Sequence, residues 1–365
     1  MRYIFLIIVG ILLLTIFLYN YFILYRLIKL FTTNRKIKLL TLILNTIIFS
    51  PILLYPFSIW FVFIFYISLT FVVVDIILFM LTKTFKITIS HKLYKIIIII
   101  PFIISILVTS YGYINAHNIV KKEYTITSTK IKNDKGYKIG LISDVHFGNT
   151  FSIQDLEKYR NQLNDENLDF LVLAGDIIDE FTKVEDYEKV FNMLGSINTK
   201  NGVYYIHGNH DESRYTNPKD NRKEKLLNAI KNVNITFLNE ESINVTDDII
   251  ITGRIDYSYR NLGVRYSSND LIKNLDKEKY LIVADHQPSI YQENKNAGYD
   301  LQLSGHTHAG QIWPFGYVTR AISFDYGYLK EDNFNLIVSS GFGVWGYPIR
   351  TEEKSEYVII NIEKE

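Results

Sequence analysis

The chain has 365 residues with 39 Lys/Arg, 38 Asp/Glu and no cysteine, which excludes disulfides, thiolate metal sites and cysteine nucleophiles. The near-neutral total hides a split: residues 1–120 hold ten Lys/Arg against one acid, Asp75, while 121–365 hold 29 against 37. An acidic second part argues against nucleic-acid binding, which needs a basic face.

The first part is dominated by Ile, Leu, Phe and Tyr. Four apolar stretches, at 3–25, 39–54, 59–81 and 94–113, read as transmembrane helices, because crossing the hydrocarbon core takes about 20 apolar residues. The second, interrupted by Asn45 and Pro51, is the least regular. The first is too long for a signal-peptide core and lacks a small-residue cleavage site, so it reads as retained. Arg26, Lys29, Arg35, Lys36 and Lys38 lie between the first two stretches, and Lys83, Lys86, Lys92 and Lys95 between the last two. The positive-inside rule puts both basic loops in the cytoplasm. Both chain ends, and the whole of 121–365, are then expected outside. The expectation is a multi-pass cell-membrane protein with an extracytoplasmic domain. Asp75, inside an apolar span, is expected to face a neighbouring helix or to snorkel.

Residues 121–365 alternate short β-rich runs with helical patterns. Strands are predicted at 137–143, 170–174, 203–206, 249–252, 280–284, 301–303, 336–339 and 357–362. Helices are predicted at 152–163, 186–194, 222–233, 268–275 and 289–296. Such alternation predicts an α/β layered domain.

The informative polar residues fall just after predicted strands, where loops on a rigid sheet carry sites. They are Asp144 and His146, Gly175-Asp176, Gly208-Asn209-His210-Asp211, His286, and Gly305-His306-Thr307-His308. Five of the eight histidines lie in these segments. Residues i and i+2 at a strand end share a side, so Asp144 and His146 should grip one ion together, and His306 and His308 likewise. Gly175, Gly208 and Gly305 remove a side chain where the backbone turns sharply or approaches a ligand. Carboxylate, imidazole and amide oxygens suit Mn, Zn, Fe or Ni. His91, His117 and His207 read as structural, and Asp179 as a loop or capping residue. Arg254 and Arg350 are candidate substrate-phosphate contacts, with structural ion pairing the plain alternative. Trp313, Phe342, Trp345 and Tyr347 would either form an apolar rim or pack against the sheet.

The ordered series D-x-H, G-D, G-N-H-D, a lone His and G-H-x-H resembles the calcineurin-like metallophosphoesterase superfamily over residues 138–362. Segments 305–311 and 340–350 are similar to a branch of bacterial membrane-associated phosphoesterases, some acting on phosphodiesters or lipid-linked sugar nucleotides. The resemblance implies two mixed β-sheets packed as a sandwich flanked by helices, with the site at strand ends. It implies two divalent metal ions: Asp144, His146, Asp176 and His308 would hold the first, and Asp176, Asn209, His286 and His306 the second, with Asp176 bridging. Two cations about 3.5–4 Å apart clamp a phosphate and turn a shared water into a hydroxide nucleophile. His210, beside a ligand, is placed to protonate the leaving alkoxide. Asp211 is expected to orient His210 or to be a solvated loop acid. The expected partners are the lipid bilayer and a phosphate-ester substrate (diester, monoester or pyrophosphate), with lipid-linked esters among the candidates. The competing reading is a membrane-anchored sensor that keeps the fold without turnover. A metal-dependent amide hydrolase would be expected to show H-E-x-x-H, which is absent.

Overall fold

A computed structural model describes residues 2–32, 36–212 and 221–365; Arg35 of the first basic loop lies outside them. The chain forms two compact units, Met1–Gly112 with Gly346–Pro348, and Tyr113–Trp345 with Ile349–Glu365. The division thus falls within a helix, ahead of the boundary at 120 read from composition.

The first unit is built from α1 (Arg2–Lys29), α2 (Ile37–Leu54), α3 (Ile59–Phe79), α4 (His91–Ile97) and α5 (Ile100–Ala116), the last running into the second unit. Among the described residues, four helical stretches, Gly10–Lys29, Ile37–Leu54, Ile59–Thr84 and His91–Ala116, are long and apolar enough to cross a membrane. Besides the apolar residues packed between them, such as Ile16, Phe49, Ile64 and Phe71, these helices expose many more, among them Leu18, Ile47, Val73 and Ile106, as in helices made to meet lipid rather than water. Polar groups instead turn inward. Asp75 on α3 is clamped by Arg26 Nη1 (2.6 Å) and Tyr19 Oη (2.7 Å) of α1. Asn20 Nδ2 donates to Ser68 Oγ at 2.7 Å along the same seam. Asp75 therefore faces a neighbouring helix, with a partner that sequence spacing could not reveal.

The second unit contains two six-stranded mixed sheets. One has the order β1 (Val120–Ser128), β12 (Glu356–Lys364), β2 (Tyr137–Ile142), β3 (Phe170–Ala174), β4 (Val203–Ile206), β5 (Thr236–Phe237). The other runs β10 (Gly327–Glu331), β11 (Phe334–Val338), β9 (Leu301–Ser304), β8 (Tyr280–Ala284), β7 (Ile249–Gly253), β6 (Glu241–Asn244). Strands β2 to β5 are mutually parallel, as are β7, β8, β9 and β11.

Alternation explains the layers. In β3, Phe170, Val172 and Ala174 enter the core between the sheets, with Ile251, Ile282 and Leu303 of the opposite sheet. Leu171 and Leu173 face the other way, onto helices α6 (Ile153–Asp165), α7 (Tyr187–Gly195) and α8 (Arg222–Lys231), through Leu156, Val190, Phe191 and Leu226. A strand buried on both faces reads as a continuous apolar run, as this one does. Helix α6 starts where Ser152 and Asp155 form a capping box. The second sheet is covered by α9 (Ser268–Ile272) and α10 (Tyr291–Ala297), with Ile272 and Ala297 against Leu281 and Val283. The edge strands β1, β5, β6 and β10, absent from the sequence reading, are polar or short, so their periodicity is weak.

Because the central strands of each sheet are parallel, their carboxyl ends share one edge of the sandwich. There β2, β3 and β4 deliver Asp144, Asp176 and Asn209, while β8 and β9 deliver His286, His306 and His308.

Candidate metal centre

Two groups of ligand-type side chains converge at that edge. Asp144, His146 and His308 form one, and Asp176, His286 and His306 the other; within each, the ligand atoms lie within 4.8 Å of one another. His146 Nε2 and His308 Nε2 approach to 3.2 Å, and His308 Nε2 lies 3.5 Å from Asp144 Oδ1. Asp176 Oδ2 is 3.1 Å from His286 Nε2 in its own group and 3.7 Å from His146 Nε2 in the other. It is the carboxylate through which the two groups meet. Asn209 is buried, and among the described residues its Oδ1 has no hydrogen-bond partner. Buried acceptors are rarely left without a partner, so this atom fits a ligand of a cation.

The local backbone is unusual. Asp144, His146, Asp176, His306 and His308 all have φ between +43° and +75°. Such conformations cost about 1–3 kcal/mol each and concentrate at functional sites. They also correct the strand-end argument for the last motif. His306 and His308 join different groups, whereas Asp144 and His146, left-handed at both positions as well, share one; with no extended backbone at either pair, the two-residue period does not decide the grouping. Gly208 and Gly305 are required sterically: a Cβ at the first would overlap the Asp176 carboxylate, and at the second that of Asp144.

The charges are matched. Burial lowers the proton affinity of His146, but its hydrogen bond to Asp179 and the charges of Asp176 and Asp144 outweigh this and push it up to about 9. His286, also buried, is held well above the ordinary range by Asp176. Burial opposes ionisation of Asp176, yet His286, His210 and His146 hold its carboxyl well below the usual carboxylate range. Burial depresses His308, helped by the charges of His146 and Arg350. Burial likewise depresses His306, with His286 adding to it. In both groups the carboxylates thus favour positive charge on a neighbouring imidazole.

An outer layer orients the imidazoles. His146 Nδ1 pairs with Asp179 Oδ2 (3.1 Å), while Asp179 Oδ1 accepts from the Phe181 and Thr182 backbone N–H groups. His286 Nδ1 meets the Ala174 carbonyl at 2.8 Å. His207, at the edge of the site, is held by Glu212 (3.0 Å).

His210 sits over this centre, its backbone N–H donating to Asp176 Oδ1 (2.9 Å) and its ring 5.2 Å from that of Trp345. Its Nδ1 is held by Glu180 Oε1 at 2.8 Å. Glu180 is a residue that sequence reading missed; it directly follows Asp179, but nothing local marks it as a histidine partner. Asp211 neither orients His210 nor is solvated. It is fully buried and accepts from the backbone N–H groups of Asp176 (2.6 Å), Gly208 (2.7 Å), Ile177 (2.9 Å) and Ile178 (3.1 Å). Its work is to lock the β3 and β4 loops together.

The two arginines also need correction. Arg254 is 1% exposed and bonded to Ser268 Oγ, Asn294 Oδ1 and the Tyr266 carbonyl. Arg350 is 0% exposed, and its Nη1 and Nη2 donate to the carbonyls of His308 (3.1 Å), Ser340 (2.8 Å) and Gly343 (2.7 Å). Neither guanidinium reaches a substrate in this geometry. Arg350 instead braces the His308 loop. Phe342 packs in the core, and Tyr347 falls in the first unit.

Residues 137–310 match the family model described as calcineurin-like phosphoesterase. The chain is 30% identical over 265 residues to an uncharacterized metallophosphoesterase of Aquifex aeolicus, covering 71% of this chain and 97% of that protein. An uncharacterized metallophosphoesterase of Campylobacter jejuni is 31% identical, over 74% of this chain and 72% of its own length. A zebrafish (Danio rerio) transmembrane protein with metallophosphoesterase domain is 28% identical, over 71% of this chain and 61% of its own.

Proposed function

This chain belongs to the calcineurin-like phosphoesterase family and is a hydrolase, and we propose that it cleaves phosphate esters at a membrane surface using two divalent cations. The observation that carries the reading is the pair of buried ligand groups joined through Asp176, with the Asn209 Oδ1 acceptor meeting no donor among the described residues.

Asp144, His146, Asp176 and His308 would hold one ion, and Asp176, Asn209, His286 and His306 the other. Mn, Zn, Fe and Ni all suit this donor set. When bound, such a pair supplies Lewis-acid charge to the phosphoryl oxygens and lowers the pKa of a water for in-line attack. The chain's own groups do the rest. Asp179 and the Ala174 carbonyl fix the ring planes of His146 and His286. Asp211 holds the Asp176 backbone so that its carboxylate is presented without reorganisation. Glu180 holds His210 Nδ1, so that Nε2 is the atom that gives a proton to the departing alkoxide.

The test of this reading uses the full chain in detergent, stripped of metal and assayed on chromogenic phosphodiesters and monoesters with each cation added back. Metal-dependent turnover supports it; two bound metals without turnover on any ester overturn it. His210→Ala should keep its metal and lose about 10²–10⁴-fold in kcat on alkyl esters, the usual worth of a positioned proton donor. An activated aryl ester, whose leaving group needs little protonation, should lose far less. Equal losses on both would remove His210 from that role.

We also place the chain as a multi-pass membrane protein with the catalytic unit outside the cytoplasm, supported by the four apolar helices and by the Lys/Arg content of their loops. A compartment-sensitive reporter joined after Glu365 should be active only outside; a cytoplasmic signal reverses the orientation.

A further inference from the structure

The segment that follows His306 and His308 ends in a short helix, α11 (Gly316–Ile322), whose polarity is inverted. Phe315, Val318 and Ile322 stand at i, i+3 and i+7, one stripe of a helical surface. That stripe points out: Val318 is 58% and Ile322 79% exposed, with Tyr317 beside them at 63%. Trp313 at the head of the segment is exposed as well. The inward face is the polar one. Gly316 is buried, its backbone N–H bonded to Glu352 Oε2 (3.0 Å), and Thr319 Oγ1 bonds Asp325 Oδ2 (2.6 Å). Arg320 adds ion pairs to Glu352 (3.2 Å) and Asp325 (3.5 Å). These bonds fix the helix with its apolar side away from the protein.

Single exposed apolar residues are ordinary, but a helix that shows its apolar stripe to the outside and ties its polar groups back to neighbouring loops marks a binding surface. We propose that residues 313–322 form a lipid-docking surface of the catalytic unit, seated in the interface of the bilayer that the chain's own apolar helices are built to cross. Two features select lipid as the occupant. The last apolar helix, α5, is joined to β1 only through His117, Asn118 and Ile119, a tether of roughly 10 Å at full extension, so the catalytic unit stays beside a bilayer. The segment's makeup also fits: Trp and Tyr prefer the headgroup level, with Phe, Val and Ile beneath it. Gln311, at the start of the segment, bonds the Trp345 carbonyl (3.1 Å), so docking would hold the mouth of the metal centre at headgroup height. The proposal rests on the membrane reading and not on the metal chemistry.

The absence of cysteine makes a direct test available. Ile322→Cys and Val318→Cys, each in the full chain, would be labelled with a bimane dye and reconstituted into phosphatidylcholine/phosphatidylglycerol vesicles. Asp134→Cys, on an exposed polar loop of the same unit, is the control. Lipids brominated along the acyl chain should quench most of the fluorescence at 318 and 322 but not at 134, and aqueous iodide should do the reverse. Quenching of 318 and 322 by iodide alone would show a surface in water and overturn the proposal. Protection from both quenchers would show a second copy of the chain on the patch, and would overturn it too. Phosphatase activity is not part of the readout, so these outcomes are independent of the hydrolase reading.

Discussion

Asp176→Asn should strip most of the bound metal and lower kcat/KM by at least about a thousandfold, ~4 kcal/mol of transition-state stabilisation. Asp176 Oδ2 faces His286 Nε2 in one group and His146 Nε2 in the other, while its Oδ1 accepts the His210 backbone N–H. An amide keeps the size but removes the negative charge that draws cations into both groups, and it puts an N–H₂ donor where an acceptor is needed. The fold itself should persist, because the carboxylate makes no contact that the hydrophobic core depends on. Metal content by elemental analysis, turnover and thermal unfolding of the same preparation separate these effects. A variant that retains both ions and most of its rate would remove Asp176 from the bridging position.

Asp211→Ala should act on stability rather than on chemistry. Its carboxylate is the shared acceptor for four backbone N–H groups in two loops, all in the interior. A buried donor left without a partner costs about 1–3 kcal/mol. The loops would relax to recover part of this, so a net loss of ~3 kcal/mol is expected, a melting temperature lower by about 6–12 °C for a unit of this size. Metal affinity should fall with it, since the Asp176 and Gly208 backbones are no longer held. Asp211→Asn, which keeps one acceptor oxygen, should lie between wild type and Ala. The measurement is a thermal melt of the full chain in detergent with and without added metal. An unchanged melt for Asp211→Ala would mean that these four bonds contribute nothing net.

These two neighbouring expectations show where local reading succeeds and fails. Asp176 announces itself as Gly-Asp after an apolar run, because strand β3 must be apolar on both faces and a site residue must come where it ends. Asp211 looks like part of the same kind of motif, yet its chemistry is used inward. The difference lies in the backbone donors brought to it: besides the nearby Gly208, the three from the β3 loop are 33 to 35 residues away. Glu180 escapes local reading, and Arg350 admits two readings, for the same reason. An acid next to Asp179 carries no local mark of its bond to His210, and an arginine after a glycine-rich turn looks available for phosphate until the turn closes around it.

By itself, the sequence determined the division into an apolar first part and an acidic second part, the α/β alternation, and the identity of the ligand-type residues. All of these are written in local period and composition: apolar runs of membrane-crossing length, strand and helix patterns, and polar residues placed just after strands. Only the tertiary structure decided how those residues group. It sent His306 and His308 to different ligand groups, joined the groups at Asp176, and gave Asp75 its Arg26 and Tyr19 partners. It also turned the apolar face of α11 outward. The physical reason is the range of the interactions: periodicity is set by neighbours along the chain, whereas charge pairing, backbone clamping and the facing of a helix are set by loops that meet only when two sheets pack.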